Sequence, residues 1–323
     1  MLNIDTILSI RSEAEFTRCA LELFRYQSEH CEPYRRYIEL LGIDPAEVKH
    51  IEEIPFMPIR LFKSTDVYCG TEAPEIIFTS SNTGSTVASR HMMASLEAYR
   101  KTFTAAFKEF YGEPAKWSIY GLLPNYLERE GSSLVYMVDT LIKECGSGGF
   151  YLNDYERLIA DIEADPKPKI LLGVSYALWD VAEQYAPKLT NTIIMETGGM
   201  KGRRKELSKS ELHAILTAGF GVEHIHSEYG MAELTSQAYS AGEGIFRAPQ
   251  WMRIMVRDVN DPFDHTPAGG RGGIDIIDLA NLSSCAFIQT EDMGRLYSDG
   301  SFSIEGRIAG SDIRGCNLLV HNL

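Results

Sequence analysis

One feature constrains this chain more than any other. From residue 75 to residue 218 short apolar runs and helical stretches take turns. EIIFTS is a run ending in a polar loop, and Met92 to Tyr111 reads as a helix. WSIYGLL, GGFYL, KILLGV and TIIME read as strands. Between them SSLVYMVDTLIKEC, Tyr155 to Ala164 and Tyr176 to Gln184 read as helices, and Ser208 marks the start of another over Ser210 to Ala218. Strands separated by helices need right-handed crossovers, so the pattern predicts a mostly parallel sheet.

The pattern differs at both ends. Phe16, Cys19, Ala20 and Phe24 fall at helical spacing; Pro33 interrupts, Tyr34 to Leu41 continues, and Pro45 suits a first helical position. Pro55 and Pro58 make Ile54 to Ile59 extended. From Trp251 onward WMRIMV, GIDIID, CAFIQT and the pair RLYS and SFSIE follow without a helix. Asp299-Gly300 is a two-residue hairpin signal. The expected fold class is α/β: a mostly parallel sheet with flanking helices plus a C-terminal antiparallel β subdomain. The stretches are 1–70 (helical), 71–245 (α/β core) and 246–323 (β subdomain), one continuous unit.

Charge and length exclude several functions. With a net charge of −14 over 323 residues, a nucleic acid or anionic membrane is not the expected partner. The basic run Lys201-Gly-Arg203-Arg204-Lys205 is the exception. No apolar run approaches the roughly 18 residues that cross a bilayer, and the N-terminus lacks a signal-peptide pattern. Cys19, Cys31, Cys69, Cys145, Cys285 and Cys316 form no C-x-x-C pair. Reduced thiols and a cytoplasmic location are therefore expected.

Three segments carry the candidate chemistry. FTSSNTGSTVASRH (Phe78–His91) places Ser80, Ser81, Asn82, Thr83, Gly84, Ser85 and Thr86 between a strand and a helix. Small hydroxyls and backbone N–H groups there suit phosphate, although no Gly-Lys-Ser/Thr follows. SEYGMAE (Ser227–Glu233) offers a flat ring and a hard oxygen ligand. QTEDMGRL and SIEGRIAGSDIRG span Gln289 to Gly315.

In this order the segments resemble the phosphate loop, the Tyr-Gly-x-Thr-Glu turn and the ribose-binding pair of adenylate-forming enzymes such as acyl-CoA synthetases and aryl-CoA ligases. The resemblance implies ATP and Mg²⁺ as cofactors and a small carboxylic acid as substrate. Ser80, Ser81, Asn82, Thr83, Gly84 and Ser85 would hold phosphate, with Arg90 as the nearest cation. Gly198, Gly199, Tyr229 and Gly230 would accept the adenine, Asp292 the ribose, and Arg307 ribose or phosphate. Glu233 would hold Mg²⁺, and Asp312 would mark a hinge. Asn82 stands where Gly is usual, and Ala232 where Thr is.

Adenylate-forming enzymes continue into a small domain bearing a catalytic lysine, whereas eight residues follow Gly315 here. The chain most resembles the acyl-protein synthetases of bacterial luminescence, fatty-acid ligases acylated on a cysteine near the C-terminus. That makes Cys316 the candidate acceptor, with Arg314 favouring its thiolate. An acyl-CoA-reductase-type protein or an acyl carrier is the implied partner. The alternatives are a CoA ligase and a non-catalytic nucleotide-binding subunit of an acyl-reductase complex. KILLGVSYALWD also approximates a hydrolase nucleophile elbow at Ser175, with Asp258 or Asp261 and His265 to complete it, but Ala177 replaces the last glycine. His224 and His226 are expected to be structural. Tyr120, Tyr126 and Tyr176 are candidate pocket aromatics.

Overall fold

The computed structural model describes residues 2–80, 87–124, 131–200, 204–205, 207–266 and 269–308. Its helices are α1 (Ile4–Leu8), α2 (Glu13–His30), α3 (Glu32–Leu41), α4 (Leu61–Ser64), α5 (Leu96–Tyr111), α6 (Ser133–Cys145), α7 (Tyr155–Ala164), α8 (Ser175–Gln184) and α9 (Lys209–Phe220). Its strands are β1 (Met57–Pro58), β2 (Ile76–Thr79), β3 (Arg90–Met93), β4 (Ser118–Leu122), β5 (Gly148–Tyr151), β6 (Lys169–Val174) and β7 (Thr192–Thr197). Then follow β8 (Ile225–Tyr229), β9 (Ala238–Ser240), β10 (Ile245–Arg247), β11 (Met252–Arg257), β12 (Arg271–Asp278), β13 (Phe287–Leu296) and β14 (Phe302–Arg307).

A single sheet runs through most of the molecule in the order β11-β12-β13-β14-β10-β9-β8-β7-β6-β4-β5, with β1 added along β13. From β5 to β8 every pairing is parallel, and from β8 to β11 every pairing is antiparallel. This is the mixed α/β architecture that the alternation predicts. β6 is buried at all six positions, as a strand covered on both faces should be. Helix starts follow local chemistry: Ser12, Ser95, Ser132 and Ser208 each accept a backbone N–H of the first turn. Ser208 forms a reciprocal capping box with Glu211.

The structure corrects several local expectations. The helix expected from Met92 begins at Leu96, because Arg90–Met93 pairs with β2 before Ser95 caps α5. Pro33 does not interrupt; it occupies the first turn of α3, where its missing N–H costs nothing. Pro45 starts no helix: Gly42 closes α3 at φ 70°, and Asp44 Oδ1 turns the chain by accepting from Ala46 N. The hairpin at Asp299-Gly300 is longer than two residues, since Tyr297 N donates to Ser301 O and Asp299 Oδ1 accepts from Ser301 N.

The N-terminal helices pack on the antiparallel end. Phe24, Tyr34 and Phe56 surround Phe287 of β13, with ring centroids 5.9, 6.2 and 6.4 Å away. Buried Gln27 donates to Asn281 O and accepts from Ala286 N, both at 2.8 Å.

Candidate nucleotide and acid site

β7 and β8 end side by side where the sheet changes from parallel to antiparallel, and a cleft opens there. Such switch points are where open α/β sheets place ligands. The cleft is lined by Glu196, Thr197, Gly198, Lys209, Glu228, Tyr229, Gly230, Phe246 and Ile304. Gly198 holds φ 72°, a left-handed conformation that lets the chain turn sharply off β7. Gly199 follows it outside the lining.

Three residues expected to serve the nucleotide meet here from distant parts of the chain. Tyr229 Oη donates to Asp292 Oδ2 at 2.8 Å, and the ring packs edge-on against Phe246 and Phe302. Arg307 is the register partner of Asp292 across β13 and β14 and brings Nη1 to 3.5 Å from Asp292 Oδ1. Its other arm binds Glu291, which also binds Arg60.

Ser80 pairs with Ser89 at either end of the segment expected to hold phosphate, with its N–H on Ser89 O and its Oγ accepting from Ser89 N. Ser81, Asn82, Thr83, Gly84, Ser85 and Thr86 lie outside the described residues, as do Asp312, Arg314, Cys316 and Tyr126. Arg90 lies on β3, exposed, with Nη1 2.7 Å from Asp66.

Glu233 is fully buried in the turn after β8. Sequence reasoning overlooked the two residues that brace this turn. His91 places one ring nitrogen 2.8 Å from Ala232 O and the other 2.9 Å from Asn281 Oδ1, while Asn281 Nδ2 donates to Glu233 O and Cys285 O. Burial pushes the His91 imidazole below its usual range. Ser89 and His91, in the segment expected to hold phosphate, were the available signal.

Two neighbouring carboxylates were also overlooked. Glu196, at the end of β7, is buried, yet Lys209 and His213 of α9 hold it ionised. Burial alone would raise it, but those two partners bring it down to about 2. Lys209 Nζ contacts Oε1, His213 Nε2 lies 3.5 Å from the same oxygen, and Ser175 Oγ lies 3.1 Å from Oε2. Glu228, on β8, receives Thr197 Oγ1 at 2.5 Å on Oε2. Burial, and then the charge of Glu196, push it up to about 7.

The remaining sequence candidates fall elsewhere. Ser175 contacts Glu196 and Gly198 O, whereas His265 contacts Asp275 at 3.2 Å; the hydrolase elbow therefore lacks its base. His226 Nδ1 meets Tyr111 Oη, and no cluster of three metal-ligating side chains occurs among the described residues. Tyr120 bonds Asp165, and Tyr176 bonds Pro124 O. Arg204 of the basic run is paired with Asp180 and Glu183 and lies over Trp179. The five described cysteines are free and buried. No described helix is long and apolar enough to cross a membrane.

No protein-family model matches the sequence, and no curated protein does. Solved structures do. A 2-hydroxyisobutyryl-CoA ligase in the postadenylation state, in complex with 2-HIB-AMP, matches with a TM-score of 0.69 at 16% identity, over 94% of this chain and 69% of that one. Its open conformation with 2-HIB-AMP and CoA matches with a TM-score of 0.68 over 95% and 77%. ATP-bound MatB from Rhodopseudomonas palustris matches at 0.55 and 15% identity, over 73% of this chain and 49% of that one. This chain has the fold of adenylate-forming ligases. It spans about half the length of MatB.

Proposed function

We propose that this protein uses ATP to activate a carboxylic acid as an acyl-adenylate and then passes the acyl group to a thiol. The observation that carries the reading is the meeting of Tyr229, Asp292 and Arg307 beside a glycine-edged cleft at the sheet's switch point. The ligase fold supports it. The substrate carboxylate oxygen attacks the α-phosphorus, the bond to the α,β-bridging oxygen breaks, and pyrophosphate leaves. A thiolate then attacks the acyl carbon and AMP departs with the electron pair of the C–O bond.

The chain's own residues fit the nucleotide. Gly198 and Gly230 edge the cleft that would take an adenine, Tyr229 supplies a ring held in place by Asp292, and the Asp292 carboxylate suits ribose hydroxyls. Ser80 to Ser85 and Arg90 serve the phosphates in this reading. Mg²⁺ takes one or two protein carboxylates and otherwise phosphate and water; a single buried Glu233 suits that. The ion would offset phosphate charge.

In the acyl-protein synthetase form of the reading the acid is a fatty acid and the acceptor is Cys316, with an acyl-CoA-reductase-type protein or a carrier as onward partner, in the cytoplasm. Resemblance of sequence motifs supports this form. The CoA-ligase form is supported by the CoA in the neighbouring ligase.

Acid-dependent exchange of pyrophosphate into ATP tests the core reading, with activity expected for at least one acid of a panel. ATP binding without exchange for any acid would instead identify a non-catalytic nucleotide-binding subunit. Glu233→Gln should reduce exchange at least tenfold at limiting Mg²⁺, and unchanged exchange would remove the metal role. With labelled acid and ATP, the wild type should gain a hydroxylamine-labile label that Cys316→Ser lacks. Equal labelling of both, or full transfer to CoA alone, would favour the CoA ligase.

A further inference from the structure

Glu228 has no part in the scheme above, yet it lines the cleft. Side chains alternate across a strand. Tyr229 stands on the face occupied by Phe246, Phe302 and Asp292, so Glu228 stands on the other. There its register partner is Tyr239 of β9, whose ring packs 5.2 Å from Phe110 and 5.4 Å from Tyr111 of α5. If the nucleotide takes the Tyr229 face, the reacting acid must reach the α-phosphate from the face of Glu228.

The carboxyl is only half satisfied. Oε2 accepts from Thr197, and no other hydrogen bond reaches the group among the described residues. Oε1 hangs over Gly230, where a Cβ would collide with it. The cation at hand, Lys209, is engaged by Glu196. The residue is 8% exposed, and leaving an acceptor unmet in such a place costs about 1–3 kcal/mol. A purely aliphatic acid would leave it unmet, whereas an acid with its own O–H or N–H would not.

We propose that Glu228 is a specificity-determining residue that accepts a hydrogen bond, through Oε1, from a hydroxyl or ammonium group on the substrate acid near its carboxylate. This rests on the acid-activating reading and narrows its substrate class.

The test is pyrophosphate exchange with matched pairs of acids that differ only in one hydroxyl or amine, on wild type and Glu228→Gln, with a melting curve for each. The wild type should prefer the donor-bearing acid by roughly 100-fold or more in kcat/KM, since a buried polar site rejects the analogue that lacks its partner. The variant should lose at least tenfold of that ratio, chiefly through KM for the acid. The wild-type panel needs no variant, so misfolding of Glu228→Gln leaves the first half decisive. Equal rates for both members of every pair would overturn the inference and leave acid activation standing. A variant that raises KM for ATP whatever the acid would overturn it by moving Glu228 to the nucleotide. Absence of exchange with every acid would overturn the acid-activating reading and this inference together.

Discussion

Glu196 and Glu228 sit on adjacent parallel strands, are both buried, and behave in opposite ways. Glu196 is held down to about 2, and Glu228 is pushed up to about 7. The difference is not burial, which raises both. It is the helix that follows β7: α9 begins with Lys209 and brings His213 one turn later, and both reach Glu196. Glu228 faces α5 across Tyr239, and the cations of that helix, Arg100, Lys101 and Lys108, are paired with other carboxylates. One end of the cleft is thus a closed ion network, and the other is a carboxyl with an oxygen to spare. Partner supply, more than depth, decides which buried acid is structural and which is available to a ligand.

The contrast can be broken from the closed side first. Glu196→Gln should cost about 3 kcal/mol of stability near pH 7, because Lys209 and His213 would keep their places without the charge that holds them. Urea titration reads this directly, and a loss below about 1 kcal/mol would mean the network is replaceable. Glu196 is depressed when folded, so its contribution is present above its ordinary value of 4.5 and is lost as pH falls toward 2.

Glu228 should show the reverse sign, and by less. Its folded value lies above its ordinary value of 4.5, so its contribution is complete below 4.5 and is lost as pH rises through about 7. Glu228→Gln should therefore stabilise the protein by about 1–2 kcal/mol at pH 8 and leave it nearly unchanged at pH 4. A variant equally stable to wild type at both values would show that the open corner is not under strain.

The smallest effect belongs to charges outside both corners. Arg90→Ala removes an exposed pair with Asp66 and should change stability by less than about 0.5 kcal/mol. Its effect on exchange at limiting ATP is the informative readout, and a loss there without loss of stability would support a role at the phosphates.

Much of this was legible in the chain. KILLGV became β6 and Tyr155–Ala164 became α7 without a shift of boundary, because apolar runs and helical periods are local signals. Tyr229, Asp292 and Arg307 were legible as motifs, and the fold brings them into contact. β3 was not legible: Arg90 to Met93 is short, apolar at one end and directly followed by a helix cap, so its ladder with β2 decides it. β9 and β10 have three residues each, too few to show a period. Glu228 was passed over because an acidic residue beside a tyrosine normally meets water; only the stacking of β7, β8 and α5 buries it. The closed network is invisible in principle to a local reading, since Glu196 and Lys209 stand 13 residues apart on different elements.

The two-residue strand β1 has a consequence in time. Met57 and Pro58 pair with Ile288 and Gln289, and the aromatic cluster of α2 and α3 closes on Phe287. A growing chain therefore makes its first helices long before it makes the surface they cover. Until about nine-tenths of the polypeptide has been synthesised, Phe24, Tyr34 and Phe56 have no native partner on β13, and docking waits on a contact of very long sequence separation. We propose accordingly that the stretches 1–70, 71–245 and 246–323 unfold as one unit. A nascent chain halted before Phe287 should be protease-sensitive in its first 60 residues, and one released after β14 should not.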